Sequence, residues 1–276
     1  MNGNRSHPLA STLHTRPGMA PRRDTAMGSR LVVDLLNTHA VMTVCNNGSP
    51  MRHVIKNGGK RITGVYTSVK TGRPVPWESF AERQEFHLHE VKSDVVGYFA
   101  QHHTLSYQFN GVLESYTPDN VVEYDNGTVE ALEIKRNFFP DLEPELAEKY
   151  RRVEKIYAGI GWGFHIRRAC SLEEDPIAFK NVFDIQRARN TLFDYFDEMA
   201  VRDCIVSAGG IARLDAVLTA IGGPRYCAEA KLFAMIVRRI VSIDLKQRVS
   251  PHSPVCINQV KQKTLAKINL WEMFND

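Results

Sequence analysis

Tyr116-Thr117-Pro118-Asp119-Asn120-Val121-Val122-Glu123-Tyr124-Asp125-Asn126-Gly127-Thr128-Val129-Glu130-Ala131-Leu132-Glu133-Ile134-Lys135 reads as two short strands around a turn. Asp-Asn-Gly between alternating runs is a hairpin signal. Two registers compete. A two-residue turn at Asn126-Gly127 would set Asp119 opposite Ile134. A three-residue loop, with Gly127 in the left-handed conformation, sets Asp119 opposite Glu133. Glu133 and Lys135 are two apart in a strand and share a face, so Leu132 and Ile134 take the other. The second register gathers two carboxylates and one amine on one face and leaves all the apolar side chains on the opposite one. It is the favoured reading.

Two close carboxylates repel, and Lys135 offsets only one of the two charges. A divalent cation is the natural partner. Mg²⁺, with Mn²⁺ as an alternative, takes hard oxygen ligands, often one or two carboxylates plus phosphate and water. Asp119, Glu133 and the backbone carbonyl of Ile134 would be its donors. Such a metal activates a water and neutralises charge building on an attacked phosphodiester. Lys135 would hold or deprotonate that water, or stabilise the charged phosphorus centre. The competing reading is a solvated same-face pair of Glu133 and Lys135, which is worth little.

Upstream, Pro76-Trp77-Glu78-Ser79-Phe80-Ala81-Glu82-Arg83-Gln84-Glu85-Phe86 reads as a helix opened by the proline. Val95 to Tyr107 reads as a strand with a loop before the hairpin, and the next helix begins near Asp141. With Gly64-Val65-Tyr66, Lys70-Thr71-Gly72-Arg73, Glu78-Ser79-Phe80-Ala81-Glu82-Arg83, Tyr116-Thr117-Pro118-Asp119 and Glu133-Ile134-Lys135, the chain resembles the PD-(D/E)xK nucleases. Within them it looks most like the TnsA-type endonuclease subunit of heteromeric bacterial transposases. The resemblance runs from about Arg61 to Ala169. It implies that Glu82, Asp119, Glu133 and Lys135 carry the chemistry, with Glu82, Asp119, Glu133 and Ile134 toward Mg²⁺. Glu78 lies one helical turn from Glu82 and is the second choice for that position.

The 276 residues suggest two modest domains, and 43% hydrophobic content is enough to build cores. A net charge of +4 permits nucleic-acid partners without requiring them. No apolar run is long enough to span a membrane, and no signal peptide is evident. Five cysteines, Cys45, Cys170, Cys204, Cys227 and Cys256, lack any Cys-x-x-Cys spacing. They read as reduced thiols in a bacterial cytoplasm rather than a zinc site.

Met1 to about Thr25 reads as a mobile tail. Arg30 to Val44 is apolar enough for a short helix or strand, and the sequence leaves that open. Lys56, Lys60, Arg61, Lys70 and Arg73 read either as a solvated loop or as amines set on phosphates. His87, His89, His102 and His103 suggest satisfied or solvated histidines rather than a metal site, because His87 and His89 point to different helix faces.

Beyond Lys135, Asp141 opens a helix reaching about Ala158, acidic early and basic late, in keeping with the helix dipole. Trp162 to Ile166 follows as a strand, the crossover an α/β sheet needs. Helical patterns then cover Val182–Phe196, Val201–Ala208, Ile211–Ile221 and Tyr226–Arg239. Short strands follow at Ile240–Leu245 and Val255–Ile257, the pattern of a winged helix-turn-helix. Arg225, Lys231, Arg238 and Arg239 would reach DNA in that reading; a helical packing module is the alternative.

The expected fold class is α/β: a PD-(D/E)xK core of mixed sheet flanked by helices, then a small winged-helix-like helical domain. The expected division is 1–52 tail and lead-in, 53–175 endonuclease domain, 176–258 winged-helix-like domain and 259–276 C-terminal tail. The amphipathic end, Val260–Phe274, either folds back or docks on a partner. The resemblance implies double-stranded DNA as substrate, a strand-transfer transposase subunit and an ATP-dependent regulator as partners. The expected activity is Mg²⁺-dependent hydrolysis of phosphodiesters at a transposon end. The rivals are a stand-alone nuclease of restriction, phage defence or repair, and a non-catalytic DNA-binding scaffold.

Overall fold

The computed structural model describes residues 30–35, 38–45, 48–52, 62–169 and 171–259. The N-terminal tail, the amphipathic C-terminal segment, Cys170, and Lys56, Lys60 and Arg61 of the basic loop lie outside the described residues. The described chain is a mixed α/β assembly of six helices and several sheets. Among the described residues, no helix is long and apolar enough to cross a membrane.

The chain enters through two antiparallel strands, β1 (Arg30–Leu35) and β2 (Ala40–Cys45), so the segment left open by its composition is extended. A small ribbon follows, β3 (Gly64–Thr67) against β4 (Pro74–Trp77). Pro76 therefore sits in a strand and opens no helix. A two-stranded ribbon consists only of edges, where a residue without an N–H is tolerated. Helix α1 (Phe80–Val91) starts three residues later, capped by the Ser79 side chain, which accepts from the Glu82 N–H.

β5 (Val95–Ala100) and β6 (His103–Phe109) belong to different sheets. The expected single strand with a loop is thus two strands, separated where Gln101 takes φ 47°. β6 pairs with β7 (Val112–Tyr116) around Asn110-Gly111, both at positive φ. Asn-Gly is the usual sequence for such a tight hairpin. This hairpin went unread in the sequence although its turn signal stands there in full. It extends the first sheet to the order β1-β2-β6-β7.

β8 (Asn120–Tyr124) and β9 (Val129–Lys135) form the second hairpin. Asn120 pairs with Leu132, Val121 with Ala131 and Val122 with Glu130. Tyr124 N–H donates to Thr128 O, and Gly127, at φ 77°, donates to Tyr124 O. The loop is the three residues Asp125-Asn126-Gly127, and the next step outward from Asn120 sets Asp119 beside Glu133. The preferred register is the one adopted.

Helix α2 (Pro144–Gly159) opens at Pro144, within the expected Asp141–Pro144 stretch, and crosses over to β10 (Gly163–Arg168). β10 runs parallel to β9, Phe164 beside Ala131, giving the sheet order β10-β9-β8-β5. Because β9 is central, both of its faces are covered. Val129 and Ala131 pack with Tyr150, Val153 and Tyr157 of α2. Leu132 packs on the other face with Phe86 of α1 and Tyr98. The expectation that all apolar side chains take the face opposite Glu133 is therefore corrected. Glu133 shares its face with Ala131 and the aromatic side of α2, and Ile134 is only half-buried.

The C-terminal part holds α3 (Pro176–Arg187), α4 (Tyr195–Ser207), β11 (Ile211–Arg213), α5 (Leu214–Ile221), α6 (Arg225–Val237), β12 (Val241–Ser242) and β13 (Pro254–Ile257). Residues 188–194 interrupt the helix expected over Val182–Phe196, and α4 starts afresh on a reciprocal cap between Asp194 and Asp197. The three short strands form one sheet, β11-β13-β12. The core of this part, with Val182, Ile205, Leu232 and Met235, also includes Val91 of α1. Arg239 Nε donates to Ser93 O at 2.7 Å and Arg189 Nε to Thr67 O at 3.0 Å, tying the two halves together.

These ties correct part of the DNA-contact expectation. Arg239 and Arg238 serve backbone carbonyls within the fold, and Lys231 is paired with Asp197 at 2.7 Å. Of the four cations proposed, Arg225 is exposed. Lys70 is likewise no phosphate contact: its buried amine donates to His89 O and Lys92 O at the end of α1. Burial lowers its pKa to about 7, against the pull of Glu90.

Gly127 tests the turn. A Cβ there would meet nothing within 4 Å, so a Gly127→Ala change acts through the backbone alone. At positive φ it should cost about 1–2 kcal/mol, measured by urea unfolding, and Gly127→Asn should cost less.

Candidate functional site

Glu82, Asp119, Glu133 and Lys135 line one cleft of about 1160 Å³, together with Glu78 and Ile134. The cleft opens between the start of α1, the link from β7 to β8, the end of β9 and the side of α2. Arg52, Ile62, Ala169 and Glu173 complete its walls.

Asp119 sits just before β8. Its Oδ2 accepts from the Ile134 N–H at 2.8 Å, and Ile134 lines the same cleft. Burial raises the Asp119 pKa to about 7; the Glu133 charge adds to the rise, the Ile134 N–H opposes it, and Glu82 adds again. The Asp119 carboxyl therefore feels both neighbouring carboxylates through space.

Glu133 is buried, 6% exposed, and held by three donors. The Tyr116 hydroxyl donates to Oε2 at 2.7 Å. The Tyr150 hydroxyl and the Lys135 amine donate to Oε1 at 3.1 Å and 2.8 Å. Burial works against the Lys135 charge, but its hydrogen bond to Glu133 and the Glu133 charge outweigh this and hold the amine above its ordinary range. The sequence assigns neither tyrosine a role, although Tyr116 opens the hairpin motif. The signal was faint: Tyr116 directly precedes Thr-Pro-Asp, whereas Tyr150 lies on a helix whose placement the sequence left unspecified.

Glu82 stands at the third position of α1. Its carboxylate accepts from the Glu78 N–H at 2.8 Å and the Ser79 hydroxyl at 2.9 Å, so it also caps its own helix. Burial raises its pKa, and these two hydrogen bonds pull it back. Glu78 lines the same cleft, and its backbone holds Glu82. Among the described residues, no three or more His, Cys, Asp or Glu side chains already stand together in a group able to hold a metal ion.

Arg52, Arg136 and Lys149 also line the cleft, giving it cations beside its acids. The four histidines lie elsewhere, and all are buried rather than solvated. His103 Nε2 meets the Tyr157 hydroxyl at 2.7 Å, and His102 Nδ1 meets His103 Nδ1 at 3.0 Å. Burial keeps both pKa values below the ordinary range. His103 opens β6.

The chain matches no family model and no curated protein.

The raised Asp119 pKa has a stability consequence with a definite sign. A carboxyl whose folded pKa lies above its unfolded value of 3.8 contributes most below that value. The contribution is lost as pH rises toward about 7. With a chelator present, Asp119→Asn, which keeps an oxygen for the Ile134 N–H, should match the parent at low pH. It should be the more stable protein at pH 8 by on the order of 1 kcal/mol, measured by thermal or urea unfolding across the pH range.

Proposed function

We propose that this chain is an Mg²⁺-dependent DNA endonuclease of PD-(D/E)xK type, followed by a winged-helix-like domain, acting as the nuclease subunit of a TnsA-like heteromeric transposase. The observation that carries the reading is that Asp119, Glu133, Lys135 and Glu82 line one cleft, with Asp119 held against the Ile134 amide and Lys135 paired with Glu133. Two like charges placed together in a half-buried cleft, at a cost visible in the raised Asp119 pKa, point to a cation in the working state. The donors are hard oxygens, and Mg²⁺ completes its shell with water and phosphate, so two carboxylates suffice. Asp119 and Glu133 would hold it, with Glu82 supporting a bound water. When bound, the metal supplies a more acidic water and a positive charge beside the phosphate.

The rest falls to the chain's own residues. Lys135 is held charged by Glu133, so it acts as a hydrogen-bond donor to an oxygen of the attacking water or the phosphate, not as a base. Arg52, Arg136 and Lys149 would take flanking phosphates, which would make affinity salt-dependent. The C-terminal order α4-β11-α5-α6-β12-β13 with its small sheet supports the winged-helix reading. α6 is mostly buried in this protein, so DNA contact through it would fall to its exposed N-terminal end at Arg225 and Tyr226.

A non-catalytic DNA-binding scaffold is the second reading. It is favoured by the double engagement of Glu82 at its helix start. The two readings separate in a cleavage assay on duplex DNA with Mg²⁺, run with the chain alone and with a transposase encoded beside it. Asp119→Ala should abolish nicking while circular dichroism and unfolding stay near the parent. Lys135→Ala should lower kcat by about 100-fold or more. Undiminished nicking by Asp119→Ala would remove the proposed centre, and the absence of any nicking by the parent in either setting would favour the scaffold.

A further inference from the structure

Glu133 is clamped more tightly than an ionic partner alone requires. A carboxylate has about four acceptor positions, two on each oxygen. On Oε1 both are taken, by Tyr150 and Lys135. On Oε2 one is taken, by Tyr116. One position on Oε2 remains. We propose that Tyr116 and Tyr150 are positioning residues that fix the Glu133 carboxylate in one orientation and present a single open position, on Oε2, to a divalent cation.

This inference rests on the nuclease reading and deepens it. Both rings are themselves held. Tyr116 is 7% exposed and Tyr150 5%. The Tyr116 ring packs edge-on against Tyr150 at 6.3 Å and Phe164 at 5.9 Å. The Tyr150 ring meets Phe138 at 5.3 Å and Phe164 at 5.8 Å. A hydroxyl on a packed ring has little freedom, so its hydrogen bond sets the torsion of the carboxylate it meets. Burial and the Glu133 charge raise both phenol pKa values, so both hydroxyls keep their protons and remain donors near neutral pH. Hydrogen bonds of this kind behind a metal ligand are worth about 10–100-fold in metal affinity. The two tyrosines divide the work unequally. Tyr116 orients the oxygen with the open position, whereas Tyr150 fills the other oxygen and keeps it from ligating.

The test is calorimetric titration of Mn²⁺ into the full chain without DNA, for the parent, Tyr116→Phe and Tyr150→Phe. The clamp expects Tyr116→Phe to weaken Mn²⁺ binding by about 10–100-fold, with a smaller loss for Tyr150→Phe. In the cleavage assay the KM for DNA should stay at the parent value, and added Mn²⁺ should restore kcat. A purely structural role would move the unfolding temperature without this split. Mn²⁺ binding by the parent that neither variant changes overturns the clamp and leaves the nuclease reading standing. No Mn²⁺ binding by the parent overturns both. Should Tyr116→Phe fail to fold, Tyr150→Phe decides alone on the same outcomes.

Discussion

The register of the β8–β9 hairpin is the constraint on which the site depends. Side chains alternate along a strand, so a slip of one residue would send Asp119 toward Ile134 and turn the cluster inside out. The three-residue loop prevents this. Gly127 accepts the left-handed conformation, and Tyr124 and Thr128 close the ladder around it. With that register set, the Asp119 carboxylate lies against the Ile134 amide, and Glu133 and Lys135 follow on the same face.

What the register brings together, electrostatics would push apart. The site tolerates its acids through local donors: an amide for Asp119, two hydroxyls and an amine for Glu133, and a helix start for Glu82. These donors offset the repulsion unevenly. Burial leaves Asp119 as a carboxyl that readily keeps a proton, with its pKa raised to about 7. A buried cluster with fixed orientations and one weakly compensated acid is arranged for a ligand more than for stability. The helices hold this arrangement from both sides, α1 on the Leu132 face and α2 on the Ala131 face.

Much of this was legible in residues 116–135. The turn type, the register and the shared face of Glu133 and Lys135 follow from a period of two and one glycine. The crossover through α2 to a parallel β10 was legible too, because a helix after a buried strand has few places to go. Other parts were misread for definite reasons. Pro76 looks like a helix opener, but Ser79, with Glu82 three residues on, is the better cap and the one the chain uses. Val95–Tyr107 reads as a strand with a loop because no turn signal in the sequence marks the change of sheet at Gln101, which only the fold reveals. Lys70, Arg238 and Arg239 look like surface cations in one dimension. In the fold their donors go to carbonyls at α1 and at Arg189, Ala234 and Ser93.

By itself, then, the sequence determined the local geometry: which residues turn, which alternate, which start a helix and which acids share a strand face. These depend on neighbours a few bonds away, and their periods are written in the chain. Only the tertiary structure decided that Glu82 reaches the cleft of Asp119, that Tyr116 and Tyr150 close on Glu133, and that both faces of β9 are covered. Those outcomes depend on how helices pack over a sheet, and packing is a sum over contacts between residues far apart in sequence, with no period to announce it.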